Sequence, residues 1–281
     1  MKASKLWYAV FTLPLMLIFL SVVVIPFLIG IGYTFVSWDG MAKHAAEFVG
    51  IRNYIDVFSD DRFLQAEIRT VIFTIFSVVA INLLGLTFAI IVTTNLRTRN
   101  IARTMLLMPY LIGGLILGYI WKSIFSEFFI SINWGNWLTD AHKAMAAMII
   151  VTCWQMAGYV MIIYITGLMA IPDDVIEAAG VDGAGFLQTL FKIRFPLLMP
   201  SFTISLFLTL SNCFKVYDVN LSLTGSGPGN QSEMFSMNIV SEIFSLNNFG
   251  YGQAKAIIFF AIVACITLVQ VTITRKREVE L

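Results

Sequence analysis

Residues 144–171 read AMAAMIIVTCWQMAGYVMIIYITGLMAI. The run carries no charged side chain; Lys143 precedes it, and Pro172, Asp173 and Asp174 follow it. At roughly 1.5 Å of rise per residue, a helix over this stretch crosses the roughly 30 Å hydrocarbon layer of a bilayer with residues to spare. Outward from it, five further stretches are long and mostly apolar: Trp7 to Val36, Val71 to Thr94, Thr104 to Phe125, Leu197 to Leu221 and Ala254 to Thr274. The fold class that follows is all-α integral membrane, with about six transmembrane helices. Pro14 and Pro26 lie inside the first run and predict an irregularity there, which a membrane helix tolerates when neighbours re-satisfy the freed backbone groups.

Composition agrees. Of 281 residues, 58% are hydrophobic and only 12% charged, with a mean hydropathy of +0.84. Soluble domains run to about a quarter charged. The net charge is +1, so no global imbalance points to nucleic acid. Cys153, Cys213 and Cys265 fall inside apolar runs, without a histidine cluster nearby. Each reads as a small buried side chain, and neither a disulfide framework nor a metal site is expected. His44 and His142 lie in polar connections and receive no role. The basic start followed by an apolar run is too long for a signal-peptide core and lacks a small-residue cleavage pattern, so it is expected to stay as the first helix.

Basic residues near helix ends set the orientation. One side collects Lys2, Lys5, Arg97, Arg99, Arg103, Lys192, Arg194, Arg275, Lys276 and Arg277. The other receives Lys43, Arg52, Arg62, Arg69, Lys143 and Lys255, diluted by Asp39, Glu47, Asp56, Asp60, Asp61, Glu67 and Asp140. The first side is therefore expected to be cytoplasmic, with both termini in the cytoplasm. Of the external segments, residues 39–67 space Ile55, Phe58 and Phe63 as a short surface helix capping the bundle would. Residues 225–229, Gly-Ser-Gly-Pro-Gly, demand a turn. Met234, Met237, Val240 and Phe244 then recur at helical spacing, as in a short helix at the membrane surface. No connection is large enough for a soluble domain, and no internal repeat is apparent.

The cytoplasmic connection between the fourth and fifth runs has its own pattern. It reads Ile171-Pro-Asp-Asp-Val-Ile-Glu177-Ala178-Ala179-Gly180-Val-Asp182-Gly183-Ala-Gly185 and continues to Ile193-Arg194-Phe195-Pro196. Two short helices meeting at an angle fit it. Pro172 suits a first helical position, with Asp173, Asp174 and Glu177 complementing the helix start. Gly180 and Gly183 allow a sharp turn, with Gly183 at positive φ; Asp182 can cap the second helix and Pro196 ends it. Phe186, Leu187, Leu190 and Phe191 form an apolar stripe on that second helix.

This pattern, E-A-A then G then I-x-x-P in a cytoplasmic loop before the penultimate span, resembles the coupling loop of permeases of binding-protein-dependent ABC importers. Phe48-Val-Gly-Ile-Arg-Asn-Tyr54 is similar to the external F-V-G-L-x-N-Y element of sugar permeases of the maltose and glycerol-3-phosphate type. Arg103-Thr104 through Pro109, Trp154-Gln155, Leu223-Thr-Gly-Ser-Gly-Pro228 and the ending Arg275–Glu280 extend the likeness, the ending in the manner of the first permease subunit. Phe195 and Ser226 depart from the family pattern. The resemblance implies a type I ABC importer permease fold, forming a single transmembrane domain over residues 1–281 with a coupling loop at 172–196. It implies a multi-pass subunit of the bacterial cell membrane, inner or plasma, that moves a sugar or oligosaccharide from an external sugar-binding protein into the cytoplasm. It also implies partners: a second homologous permease, two ATPase subunits and membrane lipid. Glu177, Ala178, Ala179, Asp182 and Gly183 would couple to the ATPase. No catalytic residue is assigned, and no cofactor is expected on this chain. It has no G-x-x-x-x-G-K-[ST] loop, so ATP and Mg would bind the ATPase subunits.

Polar residues in the fourth and fifth runs define an expected substrate path: Gln155, Tyr159, Asn212, Lys215 and Asp218. A polar side chain facing lipid is costly, so these should face the bundle interior or a water-filled cavity. Lys215 and Asp218 also admit a plainer reading, an ion pair three residues apart on one helix face. Two other function classes compete. An ion-coupled secondary transporter usually needs intramembrane carboxylates or broken helices at the midplane, and here Asp218 is the only acid well inside a run. An intramembrane enzyme would need an H-E-x-x-H, G-x-S-x-G or paired-carboxylate arrangement, and none is found.

Overall fold

The computed structural model describes residues 2–41, 43–94 and 97–278, with the side chains of residues 2–6 left aside. Val279 and Glu280, the end of the tail motif, lie outside the described residues. Among the described residues the long elements are helical. Helix α1, Trp7–Tyr33, is followed by a two-stranded hairpin of β1, Val36–Ser37, and β2, Glu47–Phe48. Then come α2, Arg52–Phe58; α3, Asp61–Thr93; α4, Arg99–Leu111; α5, Gly114–Ser131; and α6, Ala141–Ala170. The chain continues with α7, Asp173–Val181; α8, Phe186–Leu197; α9, Met199–Phe214; α10, Phe235–Phe244; and α11, Phe249–Arg275. Four helices, α1, α3, α6 and α11, are long and apolar enough to span a membrane. Two bent pairs, α4 with α5 and α8 with α9, bring the number to six if each counts as one span.

Several expected boundaries shift. α3 begins at Asp61, well before Val71, because Asp60 caps it: its carboxylate accepts the N–H groups of Arg62 at 2.9 Å and Phe63 at 3.1 Å. Such a cap satisfies donors that the first turn leaves free. At about 1.5 Å per residue α3 exceeds the hydrocarbon thickness, so its polar first turns project beyond it. The expected straight span from Thr104 to Phe125 is instead broken at Ile112 and Gly113, where the backbone is extended and the two halves bend by 96°. The span expected from Leu197 to Leu221 starts at Met199, after a 70° bend, and stops at Phe214. In α1, a π-helical turn at Leu20–Val24 stands directly before Pro26. There the wider turn eases the contact between the Pro26 ring and the carbonyl one turn back, whereas Pro14, the other proline expected to disturb the run, stands in unbroken α-helix.

The chain forms two compact units. One comprises residues up to Leu64 together with Asn238–Ala261. There the Phe48–Tyr54 motif closes the end of α1: the buried Asn53 amide donates to the carbonyls of Thr34 at 2.8 Å and Val36 at 3.0 Å, and Tyr54 donates to Thr34 Oγ1. Of the three positions expected to pack, Phe63 is buried but lies in the first turn of α3, whereas Ile55 and Phe58 are exposed and Asn53 and Val57 are the buried positions of α2. Lys255, counted above among external loop charges, lies inside α11 and is fully buried. Its ammonium bonds Glu242 at 2.7 Å, Asp60 at 2.8 Å and Asn238 at 3.1 Å, with the Tyr251 ring 4.6 Å away.

The other unit comprises Gln65–Met237 and Ile262–Leu281. α6 is its central helix, buried over more than half of its apolar stretch, with Ala144, Met148, Val151, Val160 and Tyr164 in the core. At Gly158 the backbone of α6 meets that of α4 so closely that a Cβ would overlap the Leu106 carbonyl, the small-residue contact typical of membrane helices. A buried polar network crosses this core. Asn82 on α3 donates to Thr209 on α9 at 3.1 Å and accepts from Tyr164 on α6 at 2.7 Å and from Ser205 on α9. Cys153 and Cys213 are buried as expected, but Cys265 is exposed on the lightly packed α11.

Candidate functional site

The second unit contains a cavity of about 260 Å³ with a mixed polar and apolar lining, made by Gly114, Thr152, Gln155, Met156, Asn212 and the stretch Lys215–Val219. Two helix breaks build it. One is the extended Ile112–Gly113 joint before α5; the other is the non-helical segment 215–217 beyond α9. Breaks free backbone groups, which a membrane tolerates only inside protein or along a water-filled space. Gln155 on α6 answers one of them, its amide donating to the Ile112 carbonyl at 3.0 Å. Asn212 donates to the Leu208 carbonyl one turn back at 2.8 Å and stays exposed at the cavity wall.

Four of the five expected path residues, Gln155, Asn212, Lys215 and Asp218, therefore meet at one cavity. Tyr159 does not line it. It sits one turn along α6 and stacks on Tyr110, centroids 4.4 Å apart and planes 11° from parallel. Tyr110, beside the Ile112 break, was missed because it falls in a run read as one straight span. The simple pairing of Lys215 with Asp218 is not made, and no ion pair joins them among the described residues. Lys215 closes α9 and the backbone then leaves helical geometry, so the two no longer share a helix face.

The hairpin α7–α8 is locked by its main chain. The Ala184 N–H bonds the Ala179 carbonyl at 2.9 Å, and the Gly183 N–H bonds the Gly180 carbonyl at 3.1 Å. With Gly183 at φ 75° this is the paired-bond C-terminal motif that favours glycine at the left-handed position. Asp182 is the last residue of that cap, not the start of α8; α8 begins after Gly185 with no side-chain cap. Glu177 and Ala178 are exposed and Ala179 is buried. Pro196 does not end α8 but lies in its last turn, and the bend follows at Leu198. The hairpin tip displays Val181 at 89% exposure, with Phe186, Leu187 and Phe191 also open. Apolar side chains of this size on a short polar-flanked hairpin form a surface suited to a protein partner.

A profile of the family described as "binding-protein-dependent transport system inner membrane component" matches residues 81–279. A probable starch degradation products transport system permease protein, AmyD, of Thermoanaerobacterium thermosulfurigenes is 44% identical over 99% of this chain and 97% of its own length. The trehalose/maltose transport system permease protein MalF of Thermococcus litoralis is 30% identical over 99% and 96%. A solved bacterial ABC transporter involved in import of the acidic polysaccharide alginate shares the fold, with a TM-score of 0.83 at 20% identity over 98% of this chain and 96% of that one. The helical spans, the broken-helix cavity and the hairpin thus sit in a multi-pass membrane protein that belongs to the binding-protein-dependent transport system inner membrane component family.

Proposed function

We propose that this chain is the permease subunit of an ATP-binding-cassette importer that passes a sugar or oligosaccharide from an external binding protein into the cytoplasm. The observation that carries this reading is the near full-length identity to permeases named for starch products and trehalose or maltose. The cavity supports it, because a sugar needs fixed hydrogen-bond partners for its hydroxyls and Gln155, Asn212, Lys215 and Asp218 offer them. Tyr159 and Tyr110 add aromatic faces for the apolar side of a sugar ring. Glu177, Ala178, Ala179, Asp182 and Gly183 make up the coupling segment, with Ala179 as its buried member, and the residues 172–196 dock against an ATPase subunit. Two ATPase subunits, carrying ATP and Mg, and a second homologous permease complete the assembly in a bacterial inner membrane. Both termini and the hairpin lie in the cytoplasm, a placement that the basic-residue bias supports.

Broken helices also occur in ion-coupled carriers, and the breaks at 112–113 and 215–217 keep that reading testable. In vesicles holding the reconstituted complex, uptake of sugar delivered by the binding protein should require hydrolysable ATP and stop with a non-hydrolysable analogue. Uptake driven instead by a proton or sodium gradient without nucleotide would replace the importer reading with the ion-coupled one.

A further inference from the structure

In the second unit a groove of about 500 Å³ runs between α9 and the last turns of α11. Ile204, Phe207, Leu208 and Val271 line its length, and Arg275 and Glu278 line one end. Ile204 and Phe207 are 53% and 42% exposed, so the groove is open to whatever surrounds the chain. The Gln270 amide reaches the Thr203 carbonyl at 3.4 Å, which joins the two walls at the base. From Pro200 to Leu208 the α9 wall extends about 12 Å, so the apolar channel enters a good part of one leaflet. At its charged end Arg275, Lys276 and Arg277 follow one another, all exposed, with Glu278 the one acid next to them among the described residues and Glu280 following in the sequence.

We propose that this groove binds an anionic phospholipid of the cytoplasmic leaflet, with an acyl chain along Ile204, Phe207, Leu208 and Val271 and the phosphate at Arg275 beside Lys276 and Arg277. Charge complementarity selects this occupant. A purely apolar helix would use the apolar wall alone, whereas an anionic lipid matches both parts of the site. The leaflet assignment rests on the orientation proposed above, which impermeant labelling of a cysteine at position 276 checks separately.

The test uses the full-length chain, purified with the subunits that accompany it and exchanged into detergent with phosphatidylglycerol or phosphatidylcholine. Native mass spectrometry should show phosphatidylglycerol retained in preference. Arg275→Gln should weaken that retention about fivefold, the effect of one surface cation, and Ile204→Trp should reduce it with every charge in place by filling the groove. Equal retention of the two lipids would overturn the proposal. Unchanged retention by Ile204→Trp would do so too, because it would show that the basic cluster merely attracts lipid to the surface. A photo-cross-linking residue at position 204 gives a third readout: lipid adducts support the site, and adducts to protein alone remove it.

Discussion

Asn82 ties α3 to α6 and α9 through Tyr164, Ser205 and Thr209, and all four side chains are buried. Nothing in its neighbours, Ala80-Ile81 and Leu83-Leu84, marks it out, and the partners are far away in sequence. Such a network is invisible to a reading by local pattern. Replacing the residue by leucine keeps the volume but leaves the Tyr164 and Ser205 hydroxyls without their shared acceptor. Unsatisfied buried groups cost about 1–3 kcal/mol each in water-soluble proteins and less within membranes. Asn82→Leu should therefore destabilise the purified chain by about 1–4 kcal/mol, read as a lowered thermal midpoint; an unchanged midpoint would deny the network any structural weight. Gly183 is the opposite case, legible in the sequence because a glycine between two short helix patterns implies a left-handed residue, and its φ of 75° agrees. A β-branched side chain is strained there, by roughly 1–2 kcal/mol or more, while asparagine is tolerated. Gly183→Val should insert in the membrane yet lose ATPase association and sugar uptake, with Gly183→Asn largely retaining both. Normal uptake by the valine variant would remove the hairpin from the mechanism.

The six apolar runs located the membrane elements, since apolar length alone decides that a segment enters a bilayer. What they did not give were the ends and breaks, which other forces decide. The carbonyl freed at Ile112 is answered by Gln155 on another helix, so the break is a tertiary event written across distant residues. The start of α3 depends on the Asp60 cap, and Asp60 also meets Lys255. Partial burial raises the Asp60 carboxyl, but hydrogen bonding from Lys255 and from backbone N–H groups, with the charge of Lys255, prevails and leaves it below its ordinary value. A carboxyl depressed on folding binds its proton more readily when unfolded. Its contribution is thus present above the unfolded value, about 4, and is lost as pH falls through the lower folded value. Stability of the wild-type chain should decline on acidification below about pH 4, and Asp60→Asn should be less stable near neutrality with a flatter acid limb. Parallel acid limbs for the two proteins would show that Asp60 carries no such linkage.

Along the whole chain, the regions with the clearest functional chemistry are the cavity beside α6 and α9 and the hairpin that separates those helices in sequence. α6 runs directly into α7, with only Ile171 and Pro172 between them, and α8 bends at Leu198 into α9. In the proposed mechanism a movement of the hairpin would act through continuous chain on the helices that carry Gln155 and Asn212, the kind of coupling that switching proteins use. In the proposed reading the lysine, the carboxylate and the two amides of the cavity supply donors and acceptors to the hydroxyls of a sugar. Each hydrogen bond to such a solute contributes about 0.5–1.5 kcal/mol net, or roughly two- to twelvefold in affinity. Asn212→Ala, Gln155→Ala and the double change Lys215→Gln with Asp218→Asn should each reduce sugar uptake by about that factor, while assembly and basal ATP hydrolysis persist. Gln155→Ala carries an additional structural cost because it uncovers the Ile112 carbonyl, so its thermal midpoint should fall where that of Asn212→Ala does not. If all three variants assemble and transport at the unmodified rate across a range of sugar concentrations, the solute does not pass through this cavity.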